Sequence, residues 1–213
     1  MKRTIIALIV IGVIALMGIL WWNSSKEEQG STQSKNNISN YQAEKSNIQY
    51  ERKITKKEIE ISNFSTKIFN KDEERQNNIG ITCKTLSTKE IQPGETFSFC
   101  DTVGKATHDK GYEEADIYVD GRKEQGLGGG NCQVSTTLYN AVLKVPELEV
   151  VERHQHSGHV PYVEDGNDAA VAYGNYDFKF KNNTENVIKI VMENTPDNIT
   201  AKLIKIEEVQ ETL

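Results

Sequence analysis

The chain has 213 residues and a formal net charge of −6, enough for one good-sized domain with appendages rather than two domains. No basic stripe runs through its later part, so nucleic acid is excluded as a partner. Nothing in the composition calls for a cofactor.

From Ile5 to Trp22 every residue is apolar or Gly, close to the roughly 20 residues that cross a bilayer as a helix. Lys2 and Arg3 precede the run and Trp21 and Trp22 close it, which places the N-terminus in the cytoplasm and the rest of the chain outside. A cleaved signal peptide is the alternative, but the run is long for one and no small-x-small pattern ends it. The expectation is a single-pass anchor of the cytoplasmic membrane over 1–22 with an extracytoplasmic remainder. Residues 23–52 are rich in Ser, Asn, Gln, Lys and Glu, cannot bury enough to fold alone, and read as a linker.

The folded part is assigned to 53–213. Ile59 and Ile61 alternate with charged residues as in a strand, and Ile79, Cys83 and Leu86 then fall on one helical face. Pro93-Gly94 turns into a strand over Thr96 to Phe99. Ile117 to Val119 and Arg122 to Gln125 flank Asp120-Gly121, a favoured two-residue hairpin turn. Val134, Leu138, Ala141 and Val142 mark the clearest helix, which cannot continue past Pro146 and has a polar opposite face. Further strands are expected at Leu148 to Arg153, Asp177 to Lys181, Val187 to Met192 and Thr200 to Ile206. The predicted class is α+β, mostly antiparallel sheet with one prominent helix, preceded by a transmembrane helix.

Three cysteines cannot all pair within one chain. For Cys83 and Cys100 two readings stay open, a mutual disulfide or buried thiols. Cys132 has a different context, Gly126-Leu127-Gly128-Gly129-Gly130-Asn131-Cys132-Gln133. Successive glycines suggest unusual backbone angles or a close approach to a ligand. Asn131 is a good N-cap residue and would set Cys132 in the first turn of the helix. There the free N–H groups and the helix dipole favour a thiolate and a developing oxyanion, which points to acyl transfer. The alternative is an exposed hairpin tip with Cys132 packed beneath it.

A cysteine nucleophile needs a base and a group to orient it. His154, His156 and His159 lie in one short loop, and Asp168 is the nearest following carboxylate suited to orienting a base. Sequence spacing does not rank the three imidazoles. His154-x-His156-x-x-His159 could hold zinc if the loop curled, but the spacing matches no common zinc motif, and no metal is assigned.

The segments Pro93-Gly94-Glu95-Thr96-Phe97-Ser98-Phe99, Thr102-Val103-Gly104, Gly128 to Ala141, Glu152-Arg153-His154-Gln155-His156-Ser157 and Asp177 to Asn182 occur in an order that resembles the VanW-like domain family. The resemblance covers about Phe64 to Ile190. Some members of that family are regarded as L,D-transpeptidases, which attack the bond after the third residue of a tetrapeptide stem, release terminal D-alanine and pass the acyl group to a neighbouring stem amine. The resemblance implies Cys132 as nucleophile and His156, of the His-Ser pair, as base. Asp168 would orient the base, and His154 is the reserve. Gly129, Gly130, Asn131, Gln133 and Tyr162 form the expected substrate-binding set, with N–H groups near Asn131, Cys132 and Gln133 holding the oxyanion. Cys100 stands where Asn is usual, and Asn167 stands where Arg often precedes Asp168, so Arg153 becomes the candidate for binding a substrate anion. The partners implied are peptidoglycan stem peptides. Two other functions remain open, a non-catalytic wall or glycopeptide-binding module and a cysteine peptidase that hydrolyses stem peptides.

Overall fold

The alternation around Ile59 and Ile61 becomes a long strand, β1 (Lys53–Lys67). The computed structural model describes residues 53–119 and 122–211, and Ile54–Gln210 form one compact unit. The apolar run at 5–22, the linker and the turn residues Asp120 and Gly121 lie outside the described residues. Among the described residues no helix is long and apolar enough to cross a membrane.

Helix α1 (Glu73–Leu86) carries Glu73 and Glu74 in its first turn and Lys84 in its last, matching the helix dipole at both ends. Its predicted inner face is buried: Ile79, Cys83 and Leu86 are at most 1% exposed. Short strands β2 (Glu90–Ile91) and β3 (Thr96–Ser98) follow on either side of the Pro93-Gly94 turn. The predicted strand through Phe99 stops one residue early. Ser98 instead caps a short helix α2 (Phe99–Val103), its hydroxyl accepting from the Asp101 N–H. Strands β4 (Glu114–Val119) and β5 (Arg122–Leu127) pair antiparallel with Val119 opposite Arg122, the register of the anticipated two-residue hairpin.

Helix α3 (Asn131–Val142) follows the glycine run. Strand β6 (Leu148–Glu152), strand β7 (Lys179–Asn182), strand β8 (Val187–Asn194) and strand β9 (Asn198–Glu211) complete the unit. The start of β7 is two residues later than the pattern suggested, because Asp177 is occupied at the end of β3: it accepts hydrogen bonds from Ser98 Oγ and from the N–H groups of Cys100 and Phe178.

The sheets run β1-β9-β8-β2, β3-β7-β6 and β4-β5, and the β2–β8, β8–β9, β3–β7, β6–β7 and β4–β5 pairings are antiparallel. The fold is thus mixed α/β with antiparallel sheets. Ile188, Ile190 and Met192 alternate inward along β8 beside Leu203 and Ala201 of β9, and α1 packs on this face and against α3. Val134, Leu138, Ala141 and Val142 of α3 join the same core and are fully buried. The predicted polar face of α3 is buried too, with Gln133, Ser135, Thr136, Thr137 and Asn140 all inside. Among the described residues all of these but Ser135 have hydrogen-bond partners, as buried polar groups require, and those partners build the site.

All three cysteines are free thiols, so of the two readings for Cys83 and Cys100 the unpaired one holds. Burial pushes Cys83 up to about 12. Cys100 is also pushed up to about 12, first by burial and then by the charge of Asp177.

Candidate active site

The glycine run makes its sharp turn with residues that only glycine suits. Gly128 and Gly130 have φ of 87° and 112°, a region that other residues rarely adopt. At Gly129 a side chain would meet the Asp116 carbonyl oxygen and the Ala115 Cβ at 2.8 Å. These glycines therefore serve the fold first, letting the turn press against β4 and α1 while still lining a cavity of about 510 Å³ beside Cys132.

Asn131 is not the N-cap. Gly130 occupies that position, and Asn131 Oδ1 instead accepts a 2.6 Å hydrogen bond from Thr82 Oγ1 of α1. The Asn131 and Gln133 N–H groups donate to the carbonyls of Gly128 and Gly130 at 3.0 Å. The anticipated three-residue anion cradle is thereby reduced. Of the three, the Cys132 N–H alone lacks a backbone acceptor among the described residues. Gln133, expected on substrate, is 2% exposed and spends its amide inside: Nε2 donates to Thr66 Oγ1 and the Lys67 carbonyl, and Oε1 accepts from Arg75 Nη2 at 2.8 Å.

One face of α3 grips an extended segment, residues 167–171. Asn140 Nδ2 donates to the Asn167 carbonyl at 2.7 Å, and the Ala169 N–H donates to Thr136 Oγ1 at 2.9 Å. Cys132 Sγ lies 3.5 Å from the Val171 nitrogen and 3.4 Å from its carbonyl oxygen. Four helical residues advance about 6 Å and two extended residues about 6.6 Å, so a step of four along α3 meets a step of two along the segment. This matched spacing fixes Asp168 relative to the sulfur. Residues 168 and 170 then belong to the other edge, where the Ala170 N–H donates to the His154 carbonyl at 2.8 Å.

Asp168 is 3% exposed. Its Oδ2 accepts from both the N–H and Nδ1 of His156 at 2.6 Å, and Oδ1 accepts from Arg153 Nη2 at 2.9 Å. Burial opposes its charge, yet the His156 hydrogen bonds hold the carboxyl below its ordinary range. The Asp168 bond takes up Nδ1 and leaves Nε2 for the Cys132 sulfur. For His156, burial disfavours the cation, but the hydrogen bond and charge of Cys132, and then those of Asp168, outweigh it and raise its pKa. Sulfur, imidazole and carboxylate thus stand in one line, Cys132 to His156 to Asp168.

Arg153 does not line the cavity. Its Nε donates to the Asp168 carbonyl at 2.5 Å, its Nη2 also to the Gly166 carbonyl at 2.7 Å, and its guanidinium lies 5.4 Å from the Tyr139 ring centre. It supports Asp168, which corrects its expected place on a substrate anion. The three histidines do not converge. His154 pairs with Glu152 at 2.9 Å and packs on Tyr176, and His159 pairs with the exposed Asp165 at 2.7 Å. The loop is not curled around a common centre for zinc.

Tyr162 lines the cavity. Burial first, and then the charge of Cys132, raise its pKa, so the phenol stays protonated and can donate. Arg75 lines the same cavity from α1 and was not anticipated from the sequence. Its signal was present: Arg75 sits one helical turn before Ile79 and two before Cys83, on the stripe that should be apolar.

An α/β domain with antiparallel sheets, bearing a Cys–His–Asp arrangement at a helix start beside a cavity, defines the class of this protein. A family model described as VanW like protein matches residues 74–204, well over half the chain, and the protein belongs to that family. It is 42% identical over 123 residues to the uncharacterized protein YoaR of Bacillus subtilis (strain 168), covering 58% of this chain and 40% of that protein. It is 35% identical over 116 residues to the vancomycin B-type resistance protein VanW of Enterococcus faecalis (strain ATCC 700802 / V583), covering 51% of this chain and 41% of that protein. The matched part thus spans about two fifths of each relative's length. No solved structure matches.

Proposed function

We propose that the protein is a cysteine-dependent acyltransferase acting on peptidoglycan stem peptides, an L,D-transpeptidase held at the outer face of the cytoplasmic membrane by the apolar run at 5–22. The observation that carries this reading is the His156–Asp168 pair, its carboxylate buried and its imidazole largely so, held against a cysteine in the first turn of a helix. The kinship with a vancomycin-resistance protein supports the cell wall as the site of action.

In this mechanism His156 takes the Cys132 proton, and the thiolate attacks the carbonyl carbon of the third stem residue. The Cys132 N–H and the positive end of α3 stabilise the oxyanion. Collapse breaks the C–N bond, and the imidazolium returns its proton to the departing D-alanine nitrogen, leaving a thioester. An amine of a second stem then attacks the thioester carbon and gives a proton to His156. The C–S bond breaks, restoring the thiolate–imidazolium pair, so one amide has been exchanged for another.

The test is to mix purified full-length protein with tetrapeptide muropeptides and identify the products by mass spectrometry. Dimers linked between two third-position residues are expected. Tripeptides alone would assign hydrolysis, and unchanged material with measurable binding would assign a binding module; either result overturns the transferase.

A further inference from the structure

Arg75 is a cation held by a neutral partner. Its guanidinium lines the cavity next to Cys132. Among the described residues its Nε is buried with no hydrogen-bond partner, and its side chain makes one hydrogen bond, to Gln133 Oε1. A neutral amide is a poor counterpart for a desolvated guanidinium, whose fork of donors suits a carboxylate. Asp116, which lines the same cavity and accepts from Asn70 and Gln125, and Asp72 favour the cation through charge. Leaving a charge in this state costs stability, and Gln133, itself tied to β1, holds the group in place at that cost. Tyr162 adds a phenol donor to the same wall. A guanidinium and a phenol, both hydrogen-bond donors, therefore line the cavity that adjoins the sulfur.

Resting on the transferase reading above, the anion that belongs there follows from the chemistry of the donor. In a tetrapeptide stem the residue that leaves carries the C-terminal carboxylate, one residue beyond the carbonyl that Cys132 attacks. We propose that Arg75 binds this terminal carboxylate and thereby makes the enzyme specific for donors that end one residue after the scissile bond. Longer stems and stems blocked at the terminus present no carboxylate at that distance. Gln133 is then a positioning residue for Arg75.

The test compares two donors, L-alanyl-γ-D-glutamyl-L-lysyl-D-alanine and the same peptide ending in D-alaninamide, with full-length wild-type, Arg75→Gln and Arg75→Lys proteins. Wild type should prefer the acid by about ten- to a hundredfold in kcat/KM, the range for a hydrogen bond to a charged group. Arg75→Gln should lose that preference through a higher KM for the acid, with a much smaller change on the amide; Arg75→Lys should keep part of it and stands in if Arg75→Gln does not fold. An equal fall in kcat on both donors would overturn the proposal and make Arg75 an oxyanion donor, as would a wild type indifferent to the terminus. If wild type turns over neither donor, the transferase reading fails separately. Calorimetric binding to the Cys132→Ala protein then decides: a preference for the acid that Arg75→Gln abolishes upholds the proposal, and equal binding of both peptides overturns it.

Discussion

Two histidine–carboxylate pairs in one loop show how burial separates pairs of like geometry. His156–Asp168 and His159–Asp165 have nearly equal hydrogen bonds, 2.6 and 2.7 Å. The first pair has side chains 14% and 4% exposed, the second 68% and 76%. An exposed pair in water is screened and worth little. A buried pair with further partners holds one geometry, and here those partners are a sulfur on one side and Arg153 on the other. Distance alone would rate the two pairs alike; the surroundings hold only His156 against the Cys132 sulfur.

The two pairs should part most sharply when the sulfur is removed. Cys132→Ala should leave a folded domain and remove all covalent capture of donor peptide and all cross-linking; product formation near the wild-type rate would end the nucleophile assignment. Next in size, His156→Ala should slow acylation by about two to four orders of magnitude, the usual scale for loss of general acid–base help, read by stopped-flow or quenched-flow kinetics.

Asp168→Asn probes the buried pair through pH. The raised pKa of His156 rests on Cys132 and then on Asp168, against burial, so either substitution should lower it in an NMR titration, Cys132→Ala by more. A group whose folded pKa is raised stabilises the fold in full below its unfolded value and ceases to do so as pH rises through the folded value. Asp168, held below its ordinary range, stays ionised across that window. Thermal melts should therefore show a larger loss for Asp168→Asn just below the ordinary histidine range than well above it. A loss that grows toward alkaline pH would contradict the assignment.

His154→Ala should have a smaller effect on acylation than His156→Ala, since its imidazole is held by Glu152 and Tyr176 and steadies the loop rather than facing the sulfur. His159→Ala should change the rate least of all, within about threefold, the scale of a surface substitution. Equal large losses at all three histidines, with zinc bound stoichiometrically, would replace the cysteine mechanism by a metal site.

Much of the fold was legible because it follows periodicity. The inner stripe of α1, the α3 core face and the alternation of β8 are direct readings of 3.6- and 2-residue repeats. The site was legible in its residue types, since a cysteine after a glycine run and a histidine loop are local patterns. Its connections were not, because they join distant segments. Nothing local says that Gly130 rather than Asn131 caps α3, since that depends on Thr82 reaching across from α1. Nor does sequence show that Arg153 turns to Asp168, or that Gln133 turns inward to Arg75 and β1. The burial of the polar face of α3 could not be read from the sequence because its partners, 167–171 and β1, lie far along the chain. Arg75 was readable as a charge on an apolar stripe, a violation of pattern that marks function more often than error.

If Cys132, activated by His156 and Asp168, carries the acyl group, the intermediate can be weighed directly. The measurement is intact-protein mass spectrometry of full-length protein quenched during reaction with tetrapeptide donor, followed by peptide mapping. A thioester adduct of the donor minus D-alanine is expected on Cys132, absent from Cys132→Ala and formed far more slowly by His156→Ala. Cross-linked product formed with no adduct, or an adduct on Cys83 or Cys100 instead, would contradict it.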